Sequence, residues 1–245
     1  MAPDKQPLNR QAMADRVAME FGDGWIVNLG IGIPTLCSNY VDPDKQIIYQ
    51  SENGLLNYGP LAVEGEEDPN LVNAGGQYVI PLPGMAVLDH ADSFALIRGG
   101  YVDVTVLGAY QVAANGDFAN WKTAGRKGGG IGGAMDLAVG AKRVFIIMDH
   151  TTRDGKPRLL KNVTLPVTAR GVVNLVMTNL GLLDVTSDGF VLREIAPGHT
   201  PEDVQTVSEA EIGISPNLQG GGGSELMAVS CQLTAHIERQ QPSRC

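Results

Sequence analysis

Four short apolar runs separated by stretches of helical periodicity constrain this chain more than any other feature. They occupy residues 25–29, 46–50, 102–107 and 143–148. Runs of five or six such residues read as buried strands rather than helices. Helical patterns precede most of them. Met13, Ala14, Val17, Ala18 and Phe21 recur at helical spacing behind Asn9, a good N-cap, and Gly22 and Gly24 stop that helix. Further helices are expected over 34–40, with Pro34 in the first turn, over 93–98 before Gly99 and Gly100, and over 133–140. Strands alternating with helices predict an α/β fold, with a mostly parallel sheet flanked by helices.

The last third changes character. Residues 183–186 and 190–195 flank Ser187-Asp188-Gly189, which predicts a C-terminal β-hairpin region. Thr200 and Pro201 then start a helix. One domain is expected over residues 1–216. Residues 217–245, with four successive glycines and Ser224, read as a flexible linker and tail.

Several function classes are disfavoured. The net charge of −9 gives no electrostatic footprint for a phosphate backbone, so no nucleic-acid partner is expected. No apolar run reaches the roughly 18 residues of a membrane span, so no membrane is expected either. Cys37, Cys231 and Cys245 are too few and too scattered for a disulfide framework, which points to a reducing cytoplasm. Asp89-His90 and Asp149-His150 lack a third ligand at metal spacing, so no metal site is expected. Cys37 reads as a packed thiol and the acidic run 64–68 as a solvated loop.

Three spots can carry chemistry. Ser51-Glu52-Asn53-Gly54 puts a carboxylate directly after the second strand, on a turn that Gly54 forces. Ligands in open α/β sheets bind at the carboxyl ends of the strands. The plainer reading is a carboxylate that caps the loop or pairs with a cation. Asn28, with Gly30 and Gly32 behind it, stands at the end of the first strand and aims a polar side chain at the same crevice. Its glycines are also explained by a tight strand-to-helix turn. The loop from Gly128 to Gly133 feeds the helix beginning near Gly133, where backbone N–H groups can hold an anion. Gly128, Gly130 and Gly133 match the dinucleotide spacing, with Asp149 after the next strand. Lys122, Arg126, Lys127, Lys142 and Arg143 bracket that loop and suit either an anionic ligand or plain solvation.

Together these segments resemble one family. Asn28-Leu29-Gly30-Ile31-Gly32-Ile33-Pro34, Ser51-Glu52-Asn53-Gly54-Leu55-Leu56, Asn73-Ala74-Gly75, Ser93-Phe94, Ile97-Arg98-Gly99-Gly100, Asn120-Trp121 and Gly132-Gly133-Ala134-Met135-Asp136-Leu137 are similar to the β subunit of 3-oxoacid CoA-transferases, the succinyl-CoA and 3-oxoadipate types among them. The match runs in order from Met13 to Pro201. It implies a Rossmann-like α/β fold, Glu52 as nucleophile, Asn28 in the active site, and Gly133 as a backbone donor to the oxyanion. It implies substrate or CoA contacts at Gly30, Gly32, Asn53, Gly54, Asn73, Gly75, Gly130 and Gly132. Coenzyme A would be a substrate, with no other cofactor. An α-type subunit is implied, in an α2β2 or larger assembly, with acyl-CoA and a short 3-oxoacid as substrates.

A carboxylate nucleophile fits the absence of a His–Ser or Cys–His pair. Glutamates ionise near pH 4.3, so no general base is needed at neutral pH. The sequence departs from the resemblance at Asn57 and Tyr58, where a small glycine-containing pair is usual, and at Gly129, where a lysine is usual. Two other readings stand beside it: a nicotinamide-dependent oxidoreductase using the Gly128–Gly133 loop, and a non-catalytic binding chain of the same fold.

Overall fold

The computed structural model describes residues 5–40, 42–125 and 128–220. Helix α1 (Arg10–Ala18) starts at Asn9, whose side chain accepts from the Ala12 N–H at 2.8 Å. There follow strand β1 (Ile26–Leu29), a 3₁₀ helix (Ile33–Asn39), β2 (Ile48–Ser51), β3 (Leu55–Leu61) and β4 (Val79–Val87). Helix α2 (His90–Arg98) leads to β5 (Val104–Leu107), β6 (Gln111–Ala113) and β7 (Phe118–Ala119). Helix α3 (Ala134–Gly140) precedes β8 (Val144–Met148), β9 (Leu159–Leu160) and β10 (Val173–Thr178). The described residues close with β11 (Gly181–Thr186), β12 (Gly189–Ile195), α4 (Pro201–Thr206) and β13 (Ile212–Gly220).

Ten strands form one sheet, in the order β13-β12-β11-β10-β8-β5-β1-β2-β3-β4. The middle five, β10, β8, β5, β1 and β2, run parallel. Four of them, β1, β2, β5 and β8, are buried almost throughout, which is why they read as short continuous apolar runs. One core lies under α1 and the 3₁₀ helix and includes Val27, Tyr49, Val104 and Phe145. The other lies under α2 and α3 and includes Ile97, Leu137, Ile146 and Val176. A small sheet, β7-β6-β9, stands beside the main one. Among the described residues no helix is long and apolar enough to cross a membrane.

Three expectations are corrected. The segment after β1 is a 3₁₀ helix rather than an α-helix, and it starts behind Gly32, which has a positive φ of 97°. The last strand reaches Gly220, four residues past the boundary expected at Pro216, because Gln219 and Gly220 still pair with Glu194 and Ile195. Strands β3 and β4 were not legible, since proline and glycine interrupt both. The predicted tail from 221 onward, Cys231, Cys245, Arg126 and Lys127 lie outside the described residues.

Candidate active site

Beyond β1 the chain turns to β2 on one side, while β5 continues to β8 on the other. Strands β1 and β5 are neighbours, so their carboxyl ends form a topological switch point. A cleft of about 500 Å³ opens there. Gly30, Ile31, Ile33 and Pro34 after β1 line it, as do Leu107–Tyr110 after β5, with Glu52, Asn120, Asp149 and Arg158 at the edges. Gly130, Gly132, Gly133 and Ala134 close one wall.

Glu52 sits in the three-residue turn that joins β2 to β3, where Ser51 pairs with Leu55. The turn depends on Gly54, whose φ is 121°. A Cβ there would stand 2.3 Å from the Leu88 carbonyl oxygen. The Gly54 carbonyl in turn accepts from Leu88 N–H at 2.7 Å. The glutamate is therefore held by a backbone that few other residues could adopt.

Asn28 lies below it, fully buried on β1. Its Nδ2 donates to Glu52 Oε2 at 3.1 Å and to Gln50 Oε1 at 2.8 Å. Across the cleft, Gly133 approaches the glutamate so closely that an added Cβ would lie 3.6 Å from Glu52 Cγ and 3.1 Å from Phe94 Cζ. Tyr58 is buried nearby, and its phenol is pushed well above its usual range by burial and by the Glu52 charge. It stays a neutral wall.

The expected site residues divide in two. Glu52, Gly30, Gly130, Gly132 and Gly133 line the cleft, and Asn28 bonds to Glu52 from beneath. Gly32, Asn53, Gly54, Asn73 and Gly75 do not line it. Asn53 donates to the Val72 carbonyl at 2.8 Å, and Asn73 accepts from Gly75 and Gln77 N–H groups. Ala74 N–H reaches Ser51 Oγ at 2.8 Å, so that loop braces the turn carrying Glu52.

Both sequence departures have structural reasons. Asn57 has a φ of 63°, a left-handed conformation that asparagine tolerates best after glycine, and its amide donates to the Pro83 carbonyl at 3.0 Å. At Gly129 an added Cβ would meet Trp121 Cε3 at 2.7 Å and its carbonyl oxygen at 2.8 Å. A lysine does not fit this loop as it stands.

Arg158 was not anticipated from sequence. It is the single cation among the described residues lining the cleft. Its Nε is buried without a hydrogen-bond partner, and no described carboxylate lies within 4 Å of its guanidinium. Its backbone is fixed by bonds to His150 O at 3.1 Å and from Val112 N–H at 2.9 Å. His150 is itself buried, between Thr178 Oγ1 at 3.0 Å and Ser208 Oγ at 2.8 Å. Asp89 caps α2. Among the described residues no three His, Cys, Asp or Glu side chains gather as metal ligands.

The dinucleotide reading lacks its strand. Strand β7 ends at Ala119, well before Gly128, so nothing delivers the glycines directly from a sheet. The family comparison decides the class. The family model described as Coenzyme A transferase matches residues 10–206. This chain belongs to the Coenzyme A transferase family. It is an enzyme of that class. The beta chain of a probable coenzyme A transferase of Bacillus subtilis is 47% identical over 205 residues, covering 84% of this chain and 94% of that protein. One of the subunits of a 3-oxoadipate CoA-transferase, from Acinetobacter baylyi, is 46% identical over 206 residues, covering 84% and 95%. The structure of an acyl-CoA transferase from Escherichia coli O157:H7 superposes with a TM-score of 0.67 at 22% identity. That match covers 89% of this chain and 44% of the other, and it supports the CoA-transferase fold.

Proposed function

We propose that this chain is the β-type subunit of a 3-oxoacid CoA-transferase. It moves CoA between a donor such as succinyl-CoA and a short 3-oxoacid of the acetoacetate or 3-oxoadipate type. One observation carries the reading: in a chain of this family, the Glu52 carboxylate lines the cleft with an amide donor on one side and the Gly133 backbone on the other.

Glu52 attacks the thioester carbonyl and expels CoA thiolate, forming an acyl–glutamyl anhydride. The thiolate then attacks the glutamyl carbonyl, releasing the first acid and leaving a glutamyl-CoA thioester. The second acid attacks that thioester through its carboxylate, and the returning thiolate takes the new acyl group. Glu52 is regenerated, and no ATP or net water is consumed. Each tetrahedral intermediate carries an oxyanion, and the Gly133 N–H and the Asn28 amide are the donors at hand.

An anhydride survives only if water is kept out. An α-type partner subunit, in an α2β2 or larger assembly, provides the cover. Both relatives carry names that make them single subunits of a larger enzyme, which supports this, as does the 44% share of the E. coli chain. Ile31 and Ile131 lie on the two glycine-containing loops and are 69% and 72% exposed, an apolar surface that suits a lid. Within the cleft, Arg158 receives the free carboxylate of a dicarboxylic acyl group.

The test uses the complex with its partner subunit. Incubation with succinyl-CoA and no acceptor is expected to load CoA onto the peptide containing Glu52, read by mass spectrometry. Glu52→Gln should show neither adduct nor exchange. Exchange at the native rate by Glu52→Gln would overturn the reading.

A further inference from the structure

The residue at β1 position 28 faces Gln50 on β2 and Thr105 on β5, its register partners in the two neighbouring strands. Three polar side chains thus form a row across β1, β2 and β5, and all three are fully buried. Such residues are costly to bury unless each hydrogen bond is made. Helix α2 lays Ser93, also fully buried, over the end of the row.

The bonds run one way. Ser93 Oγ donates to the Ser51 carbonyl at 3.1 Å, and a carbonyl can only accept. The serine oxygen therefore takes a hydrogen from Gln50 Nε2 at 2.8 Å. That turns Gln50 Oε1 toward Asn28, which must answer with its Nδ2 at 2.8 Å. At the far side Thr105 Oγ1 donates to Asn28 Oδ1 at 3.3 Å. An amide has a donor end and an acceptor end, and only its partners decide which faces where.

Asn28 Nδ2 has two hydrogens for three acceptors: Gln50 Oε1, Glu52 Oε2 at 3.1 Å and the Gln50 carbonyl at 3.2 Å. Gln50 Oε1 takes one. The other is shared between Glu52 and a backbone carbonyl. The donor can then leave the glutamate when its oxygen is acylated without being orphaned in the core.

We propose that Ser93, Gln50 and Thr105 are positioning residues that fix the polarity of the Asn28 amide, so that Glu52 and the oxyanions formed beside it always meet a donor and never an acceptor. Ser93 sets the direction from the Ser51 carbonyl, one residue before the nucleophile, without touching the reacting carboxylate. The inference rests on the reading of Glu52 as nucleophile.

A double-mutant cycle in the complex tests it. Ser93→Ala frees Gln50 to turn over, and Asn28 with it. The expected result is a kcat about tenfold lower with KM within twofold. Leucine at position 50 makes no side-chain hydrogen bond, so Gln50→Leu cuts the link between Ser93 and Asn28. Adding Ser93→Ala to Gln50→Leu should then cost less than twofold. Thr105→Val should also lower kcat, and Thr105→Ser should restore it, which covers a failure of the Ser93 variants to fold. Equal losses from Ser93→Ala in both backgrounds, or equal kcat for Thr105→Val and Thr105→Ser, would sink the relay. Glu52→Gln separates the two ideas. If it is dead and Ser93→Ala is normal, only the relay fails; if it is active, the proposed function itself fails.

Discussion

The side-chain amide of Asn28 reaches Glu52 Oε2 across 3.1 Å from the neighbouring strand, at zero exposure. A single donor aimed at a developing oxyanion is worth about 10²–10³-fold in kcat. Asn28→Ala is therefore expected to lower kcat by about 10²-fold in steady-state assays, with little change in KM. Asn28→Asp keeps the shape but sets a carboxylate against Glu52, and it should be worse than the alanine. An alanine variant with native kcat would show that the amide plays no part.

Two glycines at the site are expected to fail in different ways. An alanine at Gly133 meets only the edge of Phe94 at 3.1 Å and Glu52 Cγ at 3.6 Å. The fold should tolerate it, while the crowded glutamate loses roughly tenfold in kcat. An alanine at Gly54 meets a backbone oxygen at 2.3 Å in a positive-φ conformation. It should cost about 2 kcal/mol or more of stability. Melting curves and kinetics on both variants separate the cases. A Gly54→Ala protein as stable as the native one would contradict the turn geometry.

How far the sequence was legible follows from which signals are local. Four of the five central strands, and the place of Glu52 in the turn after β2, were readable because a buried parallel strand is a short apolar run and that turn needs Gly54; β10 was missed, its run broken by the exposed Asn174. Gln50, Thr105 and Ser93 were invisible as a group, because register across three strands and a helix brings them together, and register is not a local property. Thr105, a single polar residue between Val104 and Val106, is the one local signal among them. Arg158 was missed because its loop returns to the cleft through β9 pairing with β6, a contact across more than forty positions. Residues 217–220 were placed with the linker because Gly220 opens a run of glycines, while their pairing comes from β12, which is distant in sequence.

Arg158→Met should discriminate between acids. Methionine keeps much of the apolar stem and removes the charge. With the complex, KM for dicarboxylic substrates is expected to rise about tenfold or more, while monocarboxylic acyl-CoAs change little. Dephospho-CoA thioesters give the control. If the effect of the substitution disappears with them, Arg158 serves the CoA phosphate and not the acid.

The pH dependence of stability should report His150. Its ring is buried between two hydroxyls, with no carboxylate among its hydrogen-bond partners. Ser208 already donates to the Val204 carbonyl at 2.8 Å, so its oxygen accepts from Nε2–H, while Nδ1 faces the Thr178 hydroxyl, whose one hydrogen also reaches the Gly181 carbonyl. Burial lowers the pKa from 6.5 to about 4. Between those values the unfolded chain binds a proton that the folded one refuses, so acid favours unfolding. The contribution is complete above about pH 6.5 and drains away as pH falls toward 4, by about 3 kcal/mol in all. Asp15 is raised by burial and has the opposite slope at the acid end, so native protein alone does not isolate the histidine. His150→Gln does, because it removes the titration and leaves Asp15 in place. Urea midpoints measured from pH 7.5 to 4.5 should fall more steeply for the native chain than for His150→Gln, and parallel curves would show that His150 is protonated without cost.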